Sequence, residues 1–247
     1  MKKLSLCFII ALLSFACTSK KNITTTEKNT APYFKATGNE PFWSLLLSED
    51  TIVFHSLAND KTYTFPHTTA VKAMDANVKI YRTENPEAKM EIIIEQTECI
   101  NDMSGDKSLY SVHLKLAFKN NTEEKYHGCG DYLLPTRFHD IWVLEMLNGK
   151  KVSVSDFAKQ LPYFEINAKE KTYSGYGGCN GLGGTLFYEP GILRFERGMS
   201  TLMYCGDANK ENELYQALNS VTQYTFNDNR LLLSNANGTL VVMKKTD

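Results

Sequence analysis

The sequence predicts a mainly β protein of two small β-rich domains, the second of which carries a single helix. Three observations support this class: short segments alternate apolar and polar residues, turn-forming residues separate them, and one segment shows a helical period. The chain has 247 residues, of which 43% are hydrophobic and 22% charged, as in ordinary folded proteins. We therefore expect folded domains over most of the length rather than a disordered chain.

The first predicted domain covers residues 32–135 and consists of short strands. The clearest is 110–118, which alternates apolar and polar residues over nine positions, as a half-buried antiparallel strand does. Asparagine-rich turns at 59–60, 85–86 and 120–121 separate such segments. Further strands are predicted at 51–54, 62–65, 78–81 and 90–95. Together these features predict a β-barrel-like or sandwich domain.

The second predicted domain covers residues 136–247 and contains the one helical segment. We expect that helix at 207–220, where four apolar residues share a face and Asp207 or Asn209 supplies a cap. A strand at 141–147 precedes it. Two hairpins are expected, one turning at 189–191 and one around Asn237 and Gly238. Six glycines in 175–184 lack a phosphate-binding register, so we interpret this stretch as a tight turn.

The first residues indicate export from the cytoplasm. Lys2 and Lys3 precede an apolar run at 6–16, which is too short to span a bilayer and fits a signal peptide at 1–16. The run ends at Cys17 in a pattern that resembles a bacterial lipobox. The resemblance implies cleavage after Ala16, a diacylglycerol on Cys17 and a partnership with the membrane through that lipid. Plain secretion, or a Cys17 that only forms a disulfide, is the alternative.

The residues after Cys17 point to the place where the domains would act. Thr18 stands where an Asp would resemble an inner-membrane retention signal, so we expect the outer membrane, facing the periplasm. Residues 17–31 are polar and lack apolar periodicity, which is typical of a flexible tether.

Four cysteines remain after the leader and Cys17 are set aside, namely Cys99, Cys129, Cys179 and Cys205. An even number in an oxidising compartment predicts two disulfides, for which three connectivities are possible. The pairs Cys99–Cys129 and Cys179–Cys205 are the most economical, because each closes within one predicted domain. A metal site is the alternative, but His127 and Cys129 form the only close His/Cys pair and zinc needs three or four ligands.

Composition and motifs argue against several function classes. The chain has 27 basic and 28 acidic residues and therefore no excess of positive charge. This balance argues against a protein that binds the phosphates of a nucleic acid. No Gly-x-Ser-x-Gly or Cys-x-x-Cys motif is present, and we predict no cofactor, no metal and no catalytic residues. A thiol enzyme using Cys129 with His127 is an alternative that requires a free thiol of low pKa.

The second domain carries an ordered set of short motifs. Trp142 begins it, Asn180 follows Gly178 and Cys179, and the segment 199–205 reads Met-Ser-Thr-Leu-Met-Tyr-Cys. This order resembles the META domain, the family of the bacterial heat-shock protein HslJ. The resemblance implies a small β-rich domain with one helix, found in envelope proteins and linked to stress and antibiotic tolerance, without established catalytic residues. Leu202 and Tyr204 replace residues that are commonly basic and alanine in the family.

The first domain resembles a small β module of bacterial envelope lipoproteins. The residues that carry the resemblance lie at 38–43 and 99–105, at Tyr110 and at 128–130. Ser104, Gly105 and Tyr110 also resemble a pattern in the membrane-bound inhibitors of c-type lysozyme, in which a loop enters the lysozyme cleft. Inhibition of c-type lysozyme through 104–110 is therefore an alternative function.

Binding is the function that these features favour. Glu40 and Trp43 could form a binding lip, although Trp43 could equally plug one end of a barrel together with Phe42. We predict a non-enzymatic, lipid-anchored envelope protein whose partner is a protein or another envelope component and whose role is binding or stress tolerance. The alternative is a structural spacer without a binding function. The sequence does not predict the oligomeric state.

Overall fold

The computed structural model describes residues 31–206 and 209–246. The predicted signal peptide, the lipidation site Cys17 and all but the last residue of the predicted tether lie outside the described residues. The described residues form two large antiparallel sheets, a small ribbon and one α-helix, which confirms the mainly β class.

Nine strands form the N-terminal sheet in the order β4-β3-β2-β1-β11-β10-β7-β6-β5, and β8 and β9 form a separate ribbon. The strands are β1 (Phe34–Asn39), β2 (Phe42–Leu47), β3 (Thr51–Ser56), β4 (Lys61–Pro66), β5 (Val71–Lys72), β6 (Val78–Glu84), β7 (Ala88–Glu95), β8 (Cys99–Ile100), β9 (Lys107–Ser108), β10 (Tyr110–Phe118) and β11 (Glu123–Tyr132). Residues 34–47 and 123–132 were not predicted as strands, yet they form the centre of the sheet.

The two ends of the N-terminal sheet approach each other through side chains rather than a full backbone ladder. At this seam the Thr83 hydroxyl of β6 donates to the Pro66 carbonyl of β4 at 2.7 Å. The Asn85 side-chain amide donates to the Thr64 carbonyl at 3.0 Å. The sheet therefore curls around its own core, as a barrel does.

Alternation along each strand decides which side chains enter that core. In β10, Val112 and Leu114 are buried and His113 between them is exposed. In β6 the same alternation buries Tyr81 and also Lys79, which lies on the inner face although it is charged. A buried lysine requires a partner, because an isolated charge in the interior is costly.

The C-terminal sheet has the order β17-β16-β15-β14-β12-β20-β19-β18, with β13 paired to β12. Its elements are β12 (Asp140–Leu147), β13 (Lys150–Lys151), β14 (Tyr163–Asn167), β15 (Thr172–Tyr176), β16 (Gly181–Glu189), β17 (Ile192–Ser200), α1 (Glu211–Asn219), β18 (Gln223–Asn227), β19 (Arg230–Asn235) and β20 (Gly238–Lys245). The ends of this order meet where the Leu193 N–H donates to the Thr222 carbonyl at 3.2 Å. This sheet also curls around a core.

The helix is shorter than the sequence predicts. It begins at Glu211, not at 207, and ends at Asn219. Asp207 lies outside the described residues, and the N-cap position is held by Lys210, whose side chain makes no capping bond. Asn209 contributes one bond, since its side-chain oxygen accepts the Glu211 N–H at 2.8 Å. The helix packs its buried face against β17 and β20.

Ion pairs connect the two sheets. The β16–β17 hairpin contacts β6 of the N-terminal sheet, where Glu189 Oε2 lies 2.7 Å from Lys79 Nζ. Lys171 and Asp131 form a second contact at 3.4 Å. The change from one sheet to the other falls between β11 and β12, at residues 133–139.

Candidate functional site

An exposed apolar loop lies where β17 ends. Residues 199–204, called the apolar loop below, lead into Cys205. Leu202 is 95% exposed, Met199 77% and Met203 57%, and Tyr204 is also largely exposed. Proteins that act alone rarely leave several large apolar side chains together on their surface, so such a patch indicates a binding surface.

A buried carboxylate holds the turn beside this loop. Residues 177–180 connect β15 to β16, and Glu211, at the start of α1, reaches into the turn. Glu211 Oε1 accepts the N–H of Cys179 at 3.0 Å and that of Asn180 at 2.6 Å. The turn packs closely under the helix at Gly177, where a Cβ would lie 2.7 Å from both Glu211 Oε1 and the Tyr215 hydroxyl oxygen, so a larger residue would displace one of these side chains.

Asn180 transmits this constraint to the apolar loop. Its amide nitrogen donates to Glu211 Oε2 at 2.7 Å and to the Met203 carbonyl at 3.2 Å. Its amide oxygen accepts the Met203 N–H and the Thr201 hydroxyl, both at 2.7 Å. One buried amide therefore bonds both to the helix carboxylate and to the backbone in the middle of the loop.

A disulfide between Cys179 and Cys205 fixes the end of the loop. Both halves of the predicted pairing are confirmed, because Cys99 and Cys129 are also bonded to each other. In the chain-entropy treatment, loops of this length stabilise the folded state by about 3.5 kcal/mol each. The apolar loop is thus held at its middle by Asn180 and at its end by a covalent bond.

Comparison with protein-family models matches residues 136–247, the part of the chain that contains the apolar loop, to the META domain. The matched part of the chain is called the META domain below. A search of curated proteins and a search of solved structures gave no match. The Asn180 turn and the 199–205 segment, which carried the resemblance in the sequence, are the two halves of the scaffold described above.

A small cavity of about 150 Å³ lies behind the apolar loop of the META domain. Tyr173, Leu182, Met199, Tyr215 and Leu218 line most of it. Burial raises the pKa of Tyr215 to about 12, and the nearby negative charge of Glu211 acts in the same direction. The hydroxyl therefore stays protonated at neutral pH, and the cavity is a neutral, largely apolar space.

The N-terminal sheet has a separate cleft of about 420 Å³. Glu40, Asn101, Met103 and the Cys99–Cys129 disulfide lie along it, and the Asn39 amide donates to Asn101 Oδ1 at 2.8 Å. Glu40 is exposed, as are Ser104 and Gly105 in the turn between β8 and β9. These three predicted binding residues are accessible to a partner.

Trp43 does not form a binding lip, because only 1% of it is exposed. Its ring packs near Phe54 and Tyr126, and its Nε1 donates to the His127 carbonyl at 3.2 Å. The interpretation of Trp43 as a core plug agrees with this position. Phe42 differs from that interpretation, since it is about half exposed.

Tyr110 is also buried, so its side chain cannot contact a partner at the surface. Its hydroxyl donates to Glu189 of the META domain at 2.5 Å. The segment 104–110, proposed to enter a lysozyme cleft, therefore offers Ser104 and Gly105 but not Tyr110.

The thiol-enzyme alternative loses its nucleophile in this structure. Cys129 is bonded to Cys99, and His127 instead faces His113 of β10 with ring centroids 4.5 Å apart. Between residues 31 and 246, 207–208 excepted, no group of three or more His, Cys, Asp or Glu side chains is arranged to hold a metal ion. Nor does the described part of the chain contain a helix long and apolar enough to cross a membrane.

Sequence reasoning missed Glu211. Its local signal is weak, because an acidic residue in the first turn of a helix is common for electrostatic reasons alone. The bonds from Glu211 to Cys179 and Asn180 span more than thirty residues, and no local pattern reveals such a contact.

Proposed function

We propose that this protein is a non-enzymatic, lipid-anchored protein of the bacterial cell envelope that binds a protein partner through the apolar loop of its META domain. The predicted lipobox supports the anchor at Cys17. Thr18 supports the outer membrane. We further propose that the META domain is of the HslJ type, which links the protein to stress tolerance, and that the N-terminal sheet is the lipoprotein module that its sequence resembles.

The observation that carries the binding role is the combination of exposure and restraint in the apolar loop. Leu202 exposes 95% of its surface, yet Asn180 and the Cys179–Cys205 disulfide hold the backbone on which it stands. A surface that is ordered before it binds loses less conformational entropy on binding.

The chemistry of the loop favours a protein partner over a lipid surface. Residues 199–206 contain no charged side chain, whereas segments that lie on anionic membranes are usually rich in Lys and Arg. Methionine is adaptable, and both methionine and tyrosine are enriched in protein interfaces. We therefore expect an apolar patch of another envelope protein as the partner.

The two disulfides support an oxidising compartment, where such bonds persist. The envelope location and the anchor are tested together by the intact mass of the mature protein purified from membranes. A mass that corresponds to cleavage after Ala16 plus a diacylglycerol on Cys17 is expected. A mature protein without lipid contradicts the anchor and leaves the proposed role of the apolar loop to be tested separately.

Photo-crosslinking in living cells tests the loop. A photoreactive amino acid replaces Leu202 in one variant and Ile192 in a control, which is exposed at the start of β17, the strand that leads into the apolar loop. We expect a discrete protein adduct from position 202 that is absent from position 192. The captured protein is then purified, and its affinity is compared for the native protein and for the variant with Leu202→Ser and Met203→Ser.

At least tenfold weaker binding by the double variant supports the proposal. Equal affinities contradict it, and so does crosslinking from position 202 to lipid alone. Because the changed side chains are exposed, we expect the variant to fold like the native protein. Circular dichroism and the melting temperature of the variant check this.

A further inference from the structure

The contact between the two sheets has the composition of a ligand-binding site. Three donors converge on the carboxylate of Glu189, namely Lys79 of β6, Tyr110 of β10 and Asn77, which directly precedes β6. Lys79 Nζ lies 2.7 Å from Oε2, while the Asn77 amide nitrogen and the Tyr110 hydroxyl donate to Oε1 at 2.7 Å and 2.5 Å. A cation, a phenol and an amide therefore satisfy both oxygens of one carboxylate.

The site is buried and organised by further contacts. Lys79 is 9% exposed and Glu189 is 4% exposed. The ammonium group of Lys79 also lies 4.9 Å from the centroid of the Tyr132 ring and donates to Asn77 Oδ1 at 3.0 Å. Lys79 is thus oriented by groups of the N-terminal part of the chain as well as by Glu189.

The carboxylate itself comes from a different sheet. Glu189 ends β16 and stands at the start of a tight turn through Pro190 and Gly191, whose φ is 84°. Burial opposes the ionisation of Glu189, but the bonds from Lys79, Tyr110 and Asn77 outweigh it, so the pKa lies below its ordinary value. The ionised carboxylate is the form that the donors recognise.

We propose that Lys79, Tyr110 and Asn77 form a carboxylate-binding site at the end of the N-terminal sheet and that Glu189 of the META domain is the ligand it holds. The chemical class of the ligand is a small monocarboxylate, free or at the end of an acidic side chain. The N-terminal sheet recognises the META domain through this site, and the site accepts a carboxylate from solution when Glu189 is absent. This inference is independent of the role of the apolar loop.

Chemical rescue of Glu189→Ala in the full chain tests the site. The substitution removes a methylene and a carboxylate. Acetate supplies the same carbon and oxygen atoms, with a methyl group in place of the methylene. The melting temperature of the variant is measured near neutral pH in sodium acetate, in equimolar sodium chloride and in acetamide. We expect acetate to raise it by about 3 °C or more over chloride, because a ligand that binds only the folded state stabilises that state.

Two controls make the result specific. The native protein, whose site is filled by Glu189, should show no comparable response to acetate. The double variant Glu189→Ala with Lys79→Met should lose the response, since the ammonium group that holds the carboxylate is gone. Equal stabilisation by acetamide, or an unchanged response in the double variant, overturns the proposal because it shows filling of a cavity rather than carboxylate recognition.

If Glu189→Ala does not fold in chloride, its refolding yield in acetate is compared with its yield in equimolar chloride and in acetamide. A higher yield in acetate alone supports the site. Equal yields, or a folded variant whose melting temperature acetate does not raise, contradict the site.

Discussion

Glu211 and Asn180 are joined at 2.7 Å by a bond from the amide nitrogen to the carboxylate. The oxygen of the same amide accepts the Met203 N–H. The carboxylate at the start of the helix therefore positions the apolar loop indirectly, through Asn180. A single buried acid thereby organises a turn, an amide and an exposed apolar surface. Buried polar groups of this kind are costly when one partner is removed.

Glu211→Gln is expected to loosen the apolar loop. Glutamine keeps the shape but turns an NH₂ group toward donors, which leaves buried donors without acceptors and costs about 1 to 3 kcal/mol. Urea unfolding measures the stability, and hydrogen exchange of the Met203 amide measures the loop. Glu213→Gln is the matched control, because Glu213 is exposed on the same helix and accepts the Asn148 amide at 2.8 Å. Equal exchange in both variants would contradict the role of Glu211.

The cysteines are expected to react only after reduction. Peptide mapping after alkylation should find no label on Cys99, Cys129, Cys179 or Cys205 in the native protein and four labels after denaturation and reduction. Replacing both Cys179 and Cys205 by serine should lower the free energy of unfolding by about 3.5 kcal/mol. A label on Cys129 without reduction would contradict the pairing and reopen the thiol-enzyme alternative.

The Glu189 contact predicts an acid-labile component of stability. Because the folded-state pKa of Glu189 is below its ordinary value of 4.5, its stabilising contribution is present above about pH 4.5 and disappears as the pH falls through the lower folded value. Unfolding free energies of the native protein and of Glu189→Gln are measured from pH 7 downward. The difference between them should shrink in the acidic range, and a constant difference would contradict the ionised contact.

Neighbouring aromatic residues in β2 should respond differently to truncation. Trp43→Ala removes a buried ring and is expected to cost about 3 to 5 kcal/mol, whereas Phe42→Ala removes a half-exposed ring and should cost much less. Chemical denaturation of the two variants checks this. Similar losses in both variants would contradict the distinction between a buried Trp43 and a half-exposed Phe42.

Local pattern was sufficient for strands whose alternation is regular. The strand predicted at 110–118 is β10 to the residue, because four of its apolar positions face one core. In contrast, β1 and β2 are separated only by Glu40 and Pro41, and β11 contains Gly128 and Gly130. Strand propensity alone therefore does not predict these three strands, because glycine and proline are rare within strands. Their place at the centre of the sheet results from pairing with distant strands.

The candidate site was visible only in part for the same reason. Asn180 was noticed as part of a family pattern and the Cys179–Cys205 pair was predicted, but the bonds from Asn180 and Cys179 to Glu211 depend on the fold. Lys79 shares a strand face with Tyr81, so alternation places it inward, yet nothing near it in the sequence names Glu189 as its partner. Both the scaffold around Asn180 and the contact between Lys79 and Glu189 are formed by residues that lie far apart in the sequence.

The most direct test of the central claim is the affinity of the crosslinked partner for four purified proteins, measured by isothermal titration calorimetry. The native protein is compared with Met199→Ser combined with Leu202→Ser, which removes the apolar surface, and with Glu211→Gln, which loosens the scaffold beneath it. Ile192→Ser serves as the control. We expect both test variants to bind at least tenfold more weakly than the native protein and the control to bind equally. Equal affinity of all four proteins would contradict the account of the apolar loop as a preorganised binding surface.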